Sequence, residues 1–424
     1  MQLRPYQKEC IEILNSLPEG ARVVVCLATG LGKTVVGANI DFSGRMLWIS
    51  HRDELVRQPE KYFKERGFSY GIEKADEHSN GEKVVSASIQ TLCKTDRLQS
   101  FDPDDFEIII CDEAQHAAAA SYRRVLDYFH PKKLIGLTAT PKRGDKVRLT
   151  DVFDTICYTR DLRWGIENKY LSRIRCLKVQ ADYDMNTVSK SMGDYTAVSL
   201  DKQMSASNDD LVVAKAYIEH CLPTHRQTLI YCPSIRICYT VYYAMMAALP
   251  KEESGTVAVL TDKVSPEERA QILNDYSRIK IHCIINCMIL TEGTDLPETS
   301  CIINNRPSAN ASLYVQIIGR GTRPADGKDY CLVIDIVGKN YEFKDICTAP
   351  TLFGIDPDLL PEKVRKQMEE EDLLEFSNAV LRSKDSVLGT RLIQEMVDIF
   401  TQERIAIVTE NAREGYRKIA GEYE

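Results

Sequence analysis

Gly30 and Gly32, followed at once by Lys33 and Thr34, close the run Ala28-Thr29-Gly30-Leu31-Gly32-Lys33-Thr34. The run follows an apolar stretch, Arg22–Leu27, that reads as a strand. Glycines let a backbone wrap close to phosphate oxygens, and the N–H groups of such a loop and of the helix after it point at the anion. In that setting Lys33 is expected to reach the β- and γ-phosphates of a nucleotide and Thr34 to hold Mg²⁺. The full phosphate-loop spacing asks for glycine at position 27, where this chain has Leu27. Farther on, the apolar run Phe106–Cys111 ends in Asp112 and Glu113, followed by Ala114-Gln115-His116. Carboxylates at the C-terminal edge of a parallel sheet lie where α/β proteins bind ligands. Asp112 is expected to hold Mg²⁺ through water, and Glu113 to polarise an attacking water. An isolated Asp-Glu pair after a strand would read as a helix cap. Downstream of a G-K-T loop it reads as the other half of an ATP site.

Two such loops need a sheet to hold them apart. Short apolar, β-branched runs alternate with helical stretches: Arg22–Leu27, Arg45–Ser50, Lys83–Gln90, Phe106–Cys111 and Lys133–Thr138. A second set follows at Ile174–Val179, Thr228–Cys232, Thr256–Leu260, Ile281–Cys287, Cys301–Asn304 and Cys331–Ile336. Stretches such as Asp53–Arg66 and Pro266–Tyr276 are amphipathic. The alternation predicts a mainly parallel α/β sheet with helices on both faces, built twice. The join falls around Asp161–Ser172. Strand signals stop after about residue 345, and residues 361–383 and 386–419 are helical in character.

Composition bounds the rest. The chain has 424 residues, 44% of them hydrophobic and 27% charged, which argues against a disordered chain, a collagen or a disulfide miniprotein. No apolar run approaches the ~18 residues of a membrane span, and Met1–Tyr6 has no signal-peptide core. These features predict a soluble cytoplasmic protein with no membrane partner. The 14 cysteines include no C-x-x-C pair, so they are expected to be reduced; those within apolar β-rich runs read as small hydrophobes. Cys283 and Cys287 are expected to be core residues of one strand. The net charge is −8, so no global basic field points to nucleic acid. Residues 351–424 carry 16 acidic and 10 basic side chains, which leaves the first 350 residues at −2. Any nucleic-acid surface is therefore expected to be a local groove.

The two loops, in their order and spacing, resemble those of superfamily 2 DEAD/DEAH-like helicases, and the resemblance runs motif by motif over residues 1–340. Leu3-Arg4-Pro5-Tyr6-Gln7 is similar to the adenine-reading motif, with Gln7 on the adenine edge and Arg4 stacked on the ring. Ser50-His51-Arg52 and Gln90-Thr91 resemble strand-contacting motifs. Leu137-Thr138-Ala139-Thr140-Pro141 resembles the coupling motif. Tyr231-Cys232-Pro233-Ser234 resembles motif IV, and Thr291-Glu292-Gly293-Thr294-Asp295-Leu296-Pro297 resembles motif V. Gln316-Ile317-Ile318-Gly319-Arg320-Gly321-Thr322-Arg323 resembles motif VI. Taken singly these are bland: His51-Arg52 is an ordinary solvated pair, and Arg320 and Arg323, three apart on a helix, are ordinary ion-pair residues.

The resemblance implies two tandem RecA-like parallel-sheet domains, residues 1–165 and 166–345, with a helical acidic extension at 346–424. It implies ATP and Mg²⁺ as cofactors. Catalysis falls to Lys33, Glu113, Gln316, Arg320 and Arg323, the two arginines acting as fingers supplied by the second domain. Nucleotide contacts fall to Arg4, Gln7, Thr29, Gly30, Leu31, Gly32, Lys33, Thr34 and Asp295, and the metal to Thr34 and Asp112. Coupling falls to Gln115, His116, Thr138 and Thr140. Nucleic-acid contacts fall to His51, Arg52, Gln90, Thr91, Ser234, Gly293 and Thr294, which touch the backbone without reading sequence. Gln115 and Gln316 set the chain apart from the DEAD-box proteins that remodel RNA. The stretch from Asp161 to Leu171 is similar to the linker of DNA translocases in repair, restriction and phage systems. The activity implied is that of a monomeric, ATP-dependent DNA helicase or translocase on single-stranded or duplex DNA. The alternatives are an RNA helicase, a motor subunit serving a nuclease or a replication or repair partner through the acidic extension, and a non-enzymatic ATP-gated binding module.

Overall fold

The computed structural model describes residues 2–139, 149–291, 294–341, 345–355, 357, 360 and 362–382. They divide into two compact units. The first comprises residues up to Leu171 with Ile289–Pro297 and Val315–Pro324, and the second takes the rest from Ser172 onward.

In the first unit the strands are β1 (Ala21–Leu27), β2 (Met46–Ser50), β3 (Tyr70–Glu73), β4 (Val84–Ser88), β5 (Ile108–Asp112), β6 (Lys133–Thr138) and β7 (Thr155–Arg160). They form one parallel sheet in the order β3-β4-β2-β5-β6-β1-β7. β2, β4 and β5 are buried along their whole length. Strands buried on both faces of a parallel sheet read as largely apolar runs. The edge strands β3 and β7 mix buried with half-exposed or exposed positions. Their hydropathy is diluted accordingly, and neither was among the strands predicted from sequence. The stretch Asp53–Arg66 forms two helices, Asp53–Arg57 and Glu60–Glu65, rather than one. The break falls at Gln58-Pro59, where proline lacks the N–H to continue the ladder.

The second unit contains β8 (Arg173–Asp184), β9 (Lys190–Ser191), β10 (Asp194–Tyr195), β11 (Thr228–Tyr231), β12 (Val257–Leu260), β13 (Cys283–Asn286), β14 (Cys301–Asn304) and β15 (Tyr330–Lys339). Six of these pair in parallel in the order β12-β13-β11-β14-β15-β8, and β9 and β10 form a small antiparallel pair. Each unit is thus a parallel-sheet α/β layer structure of RecA-like type. Cys283 is buried in β13, but Cys287 lies one residue beyond the strand and is half-buried, which corrects the pairing of both in one strand. All 14 cysteines are free.

Two buried carboxylates mark the second unit. Asp335 of β15 accepts from the Ala349 N–H at 2.9 Å, the Tyr314 hydroxyl at 2.8 Å and the Asn304 amide at 3.1 Å. Burial pushes its carboxyl up to about 6. Asp209 accepts from the Asn305 amide at 2.7 Å, while its other oxygen and the Asn305 carbonyl oxygen are buried without a hydrogen-bond partner. Burial pushes the Asp209 carboxyl up to about 7.

The C-terminal segment forms helices Glu362–Glu370 and Leu373–Arg382. The Asp372 carboxylate accepts from the N–H groups of Leu374 and Glu375, both at 3.0 Å, and so starts the second helix. Leu373 and Phe376 are buried, and the Ser377 hydroxyl bonds the Phe353 carbonyl at 3.3 Å. This part of the extension carries an apolar face inside the second unit. The predicted helix at 386–419 lies outside the described residues.

Candidate active site

A parallel sheet delivers its loops to one edge, and the first sheet does so here. β1 runs into the glycine loop, β2 into His51, β4 into Gln90, β5 into Glu113, and β6 ends at Thr138. Register sets β6 between β1 and β5, pairing Thr138 with Cys26 and Leu137 with Asp112.

The glycine loop caps the helix Lys33–Ala38. Gly32 sits at φ 81° in the left-handed region, and a Cβ there would lie 2.6 Å from Gln7 Nε2. Only glycine meets both demands. Gln7 donates to the Leu31 carbonyl at 3.1 Å and accepts from the Arg4 N–H at 3.0 Å. The Tyr6 hydroxyl donates to the same Leu31 carbonyl at 2.7 Å, and burial holds this phenol above its usual range, as a neutral donor. The ring of Tyr6 meets those of Tyr170 and Trp164 edge-on at 4.7 and 5.2 Å, and Arg4 lies over Tyr170. Sequence reasoning did not select Tyr6, Trp164 or Tyr170. Their signal was an aromatic residue inside each of two stretches already singled out.

A chain of polar contacts runs inward from the loop. Lys33 Nζ pairs with Glu113 Oε1 at 2.8 Å. The Gln115 amide donates to Glu113 Oε2 at 3.0 Å, and the Thr138 hydroxyl donates to Gln115 Oε1 at 2.7 Å. Glu113, Gln115 and Thr138 are all buried, so each link stands in low dielectric. Glu113 adopts φ 50°, a conformation uncommon for a residue with a side chain and a mark of functional sites.

Arg320 and Arg323 belong to the first unit with this loop, although β14 and β15 on either side belong to the second sheet. Arg320 is buried and donates to the carbonyls of Thr291 at 2.9 Å through Nε and of Thr294 at 2.6 Å. Arg323 donates to the Thr294 carbonyl at 3.0 Å and pairs with Asp295 at 2.5 Å. A Cβ on Gly319 would lie 2.5 Å from Thr29 Cβ, so the chain passes the glycine loop where only glycine fits. Arg4, Gln7, Thr29, Gly30, Gly32, Lys33, Thr34, Asp112, Glu113, Asp295, Gln316, Arg320 and Arg323 line one cleft of about 820 Å³. Leu31 is buried beneath it. Arg57, Gln58 and Tyr62 also line it and were not anticipated.

A cleft of this kind fits a nucleotide and a divalent cation. Lys33 supplies a cation, Asp112 and Thr34 supply oxygen donors, and the loop supplies backbone N–H groups. The strand-contact candidates divide. The rings of His51 and His116 lie 4.3 Å apart, tilted by 46°, and the Gln90 amide donates to the His51 carbonyl at 2.7 Å, so these gather at the same sheet edge with Arg52 next in the chain. Thr91 is buried and accepts from the Ala75 N–H at 3.0 Å. Ser234 lies in the second unit, where it caps the helix Ile235–Ala248 and bonds Asp201. Thr294 contributes its carbonyl to both arginines. Thr140 and Gly293 lie outside the described residues.

Residues 1–143 match the family model of the type III restriction enzyme res subunit, and residues 213–325 match the helicase conserved C-terminal domain. The chain is 31% identical over 381 residues to IRC3 of Saccharomyces cerevisiae, named as an ATP-dependent helicase, covering 84% of this chain and 54% of that protein. It is 30% identical to irc3 of Schizosaccharomyces pombe, named as a mitochondrial ATP-dependent helicase, over 84% of this chain and 61% of the relative. The chain thus spans little more than half the length of these relatives. A fragment of an HsdR subunit of a type I restriction enzyme from Vibrio vulnificus superposes with a TM-score of 0.61 at 21% identity, over 81% of this chain and 70% of the fragment. Among the described residues, no helix is long and apolar enough to cross a membrane.

Proposed function

This chain belongs to helicase superfamily 2, in its DEAD/DEAH-like restriction-motor and phage-type subgroup, and from that premise we propose that it is an ATP-driven DNA helicase or translocase. The observation that carries the proposal is the polar chain Lys33–Glu113–Gln115–Thr138, which opens onto the cleft walled by Arg320 and Arg323. Such a chain suits a motor, because it ties the group that grips phosphate to a residue outside the cleft.

In this reading the glycine-loop N–H groups and Lys33 bind and orient the phosphates. Glu113 holds the attacking water and takes its proton. Thr34 and Asp112 would hold Mg²⁺, which would supply charge neutralisation on the phosphate oxygens. Arg323 and Arg320 stabilise negative charge that develops on the transferred phosphoryl group. When Lys33 turns to phosphate, Glu113 loses a partner, and Gln115 passes that change to Thr138. His51, Arg52, Gln90 and His116, at the same edge of the sheet, are then the backbone contacts that sense it.

The likeness to the res subunit favours a second reading, in which the chain is the motor of an assembly with a nuclease partner. Hydrolysis of ATP by the purified chain separates the cases. Single-stranded, duplex and forked DNA and RNA are compared in parallel. Stimulation by DNA above RNA supports the proposal, and equal rates with and without every polymer remove it. Stimulation that appears only with a nuclease subunit present supports the second reading.

A further inference from the structure

We propose that His225, Glu253 and His282 form a binding site for a divalent transition-metal ion of the zinc class, in the second unit and outside the nucleotide cleft. Among the described residues this is the one group in which three such side chains bring donor atoms within 4.8 Å of one another. His225 Nδ1 lies 3.8 Å from Glu253 Oε1, His282 Nδ1 lies 3.8 Å from Glu253 Oε2, and the imidazole rings are 5.2 Å apart. These separations exceed hydrogen-bond range. They approach the edge of about 3.3 Å that a tetrahedron with metal–ligand bonds of about 2.0–2.1 Å requires. In each of these two pairs the donors would have to draw together by about 0.5 Å to reach that edge.

The placement is built rather than incidental. The strands β12, β13 and β11 are adjacent in the second sheet. Glu253 lies in the turn Lys251–Thr256 before β12, His282 directly precedes β13, and His225 closes the turn Leu222–Thr224 before β11. The donors therefore converge at the N-terminal edge of three neighbouring strands, the edge that α/β sheets do not use for substrate. Local bonds hold them there. Thr256 donates its hydroxyl to the Glu253 carbonyl at 2.8 Å and lies 3.3 Å from Glu253 Oε2, and its own carbonyl accepts from the His282 N–H at 2.7 Å. His225 is fixed at φ 46° with its N–H on the Leu222 carbonyl. Most telling, His282 Nδ1 is buried with no hydrogen-bond partner. A buried ring nitrogen aimed at a carboxylate beyond bonding distance is a donor waiting for an acceptor of its lone pair.

Two imidazoles and one carboxylate suit a borderline cation better than Mg²⁺ or Ca²⁺, which prefer oxygen. Three protein ligands leave a fourth position for water. The ion would tie together the three turns that lead into β11, β12 and β13, and so stabilise the second unit.

The test uses the full chain, thiols reduced, freed of metal by a chelator and then dialysed against Zn²⁺. The unmodified protein is compared with His225→Ala/His282→Ala and with Glu253→Gln, each checked for folding by circular dichroism. The cysteines remain in every variant, so zinc held by thiols is common to all. The proposal expects one zinc equivalent per chain to be lost in the double variant, zinc affinity to fall at least tenfold in Glu253→Gln, and zinc to raise the melting temperature of the unmodified protein but not that of the double variant. Co²⁺ in place of zinc should give an absorption spectrum of nitrogen and oxygen ligation. Equal zinc uptake by all three proteins, no saturable uptake at micromolar zinc, or a cobalt spectrum of thiolate ligation alone would overturn the site.

Discussion

Lys33 and Glu113, 80 residues apart in sequence, meet at 2.8 Å at the mouth of the cleft, with both side chains largely shielded from water. The pair joins the two groups that any account of this site must use in opposite ways, one on phosphate and one on water. In this arrangement the loop is preorganised, because a buried lysine that already has a carboxylate partner does not have to be desolvated again when phosphate takes that place. Lys33→Ala is expected to weaken ATP binding by about 10- to 100-fold, the loss of one charge-assisted hydrogen bond. It should also abolish turnover. A binding isotherm with a fluorescent ATP analogue checks the first part, and unchanged affinity would show that Lys33 does not face phosphate.

Gln115 bonds Glu113 at one end and Thr138 of β6 at the other, and the two contacts can be cut separately. Thr138→Val removes the hydroxyl that donates to Gln115 Oε1 and leaves that oxygen buried without its partner. The expected cost is about 1–3 kcal/mol of stability, read as a fall in the denaturant midpoint. DNA stimulation of ATP hydrolysis should fall by more than the basal rate does. Equal losses in both rates would make Thr138 a structural residue only.

Arg320 and Arg323 differ in a way that their shared motif hides. Arg320 is buried and bonded to two backbone carbonyls, so its removal would take a charge-assisted donor from both Thr291 and Thr294. Arg323 donates to the Thr294 carbonyl and pairs with the largely exposed Asp295 carboxylate. Arg323→Ala is therefore the cleaner probe. Its kcat is expected to drop by ~10³ or more with little change in ATP affinity, the signature of a finger. A variant that lost affinity and kept kcat would assign Arg323 to ground-state binding.

How much of this was legible in the sequence depends on burial. Buried strands such as β2 and β5 announced themselves because every position before the last, Ser50 or Asp112, is apolar. The edge strands Tyr70–Glu73 and Thr155–Arg160 did not, because half-exposed positions admit polar residues. At the site, the residues of the glycine loop and the Asp112-Glu113 pair are contiguous, and contiguity is what a motif records. Arg57, Gln58 and Tyr62 reach the cleft from two short helices and the break between them, whose local pattern says nothing of chemistry. The extension is acidic, and net charge alone conceals the buried face that Leu373 and Phe376 give it.

Asp209 predicts a pH dependence with a definite sign. Its carboxyl is raised by burial to about 7, against about 3.9 in an unfolded chain. The folded state therefore holds this proton more tightly. The stability contributed by the neutral form is fully present below about pH 4 and is lost as pH rises towards 7. Asp209→Asn removes the charge and offers an amide donor to the unpartnered Asn305 oxygen. Its melting temperature should exceed that of the unmodified protein, by more at pH 8 than at pH 5. A gain that is the same at both values would contradict the buried-carboxyl explanation.

The central claim is that Glu113 activates water for ATP hydrolysis while Lys33 grips phosphate, and one measurement addresses it most directly. Steady-state ATP hydrolysis by Glu113→Gln is compared with that of the unmodified chain at saturating DNA, with ATP binding measured on the same samples. Glutamine keeps the shape and the contact with Gln115 but cannot take a proton, and general-base catalysis contributes about 10²–10⁴ in rate. The account predicts turnover reduced at least ~10²-fold, with ATP bound as tightly as before or more so, since Lys33 is released from its ion pair. Near-normal turnover in Glu113→Gln would contradict it.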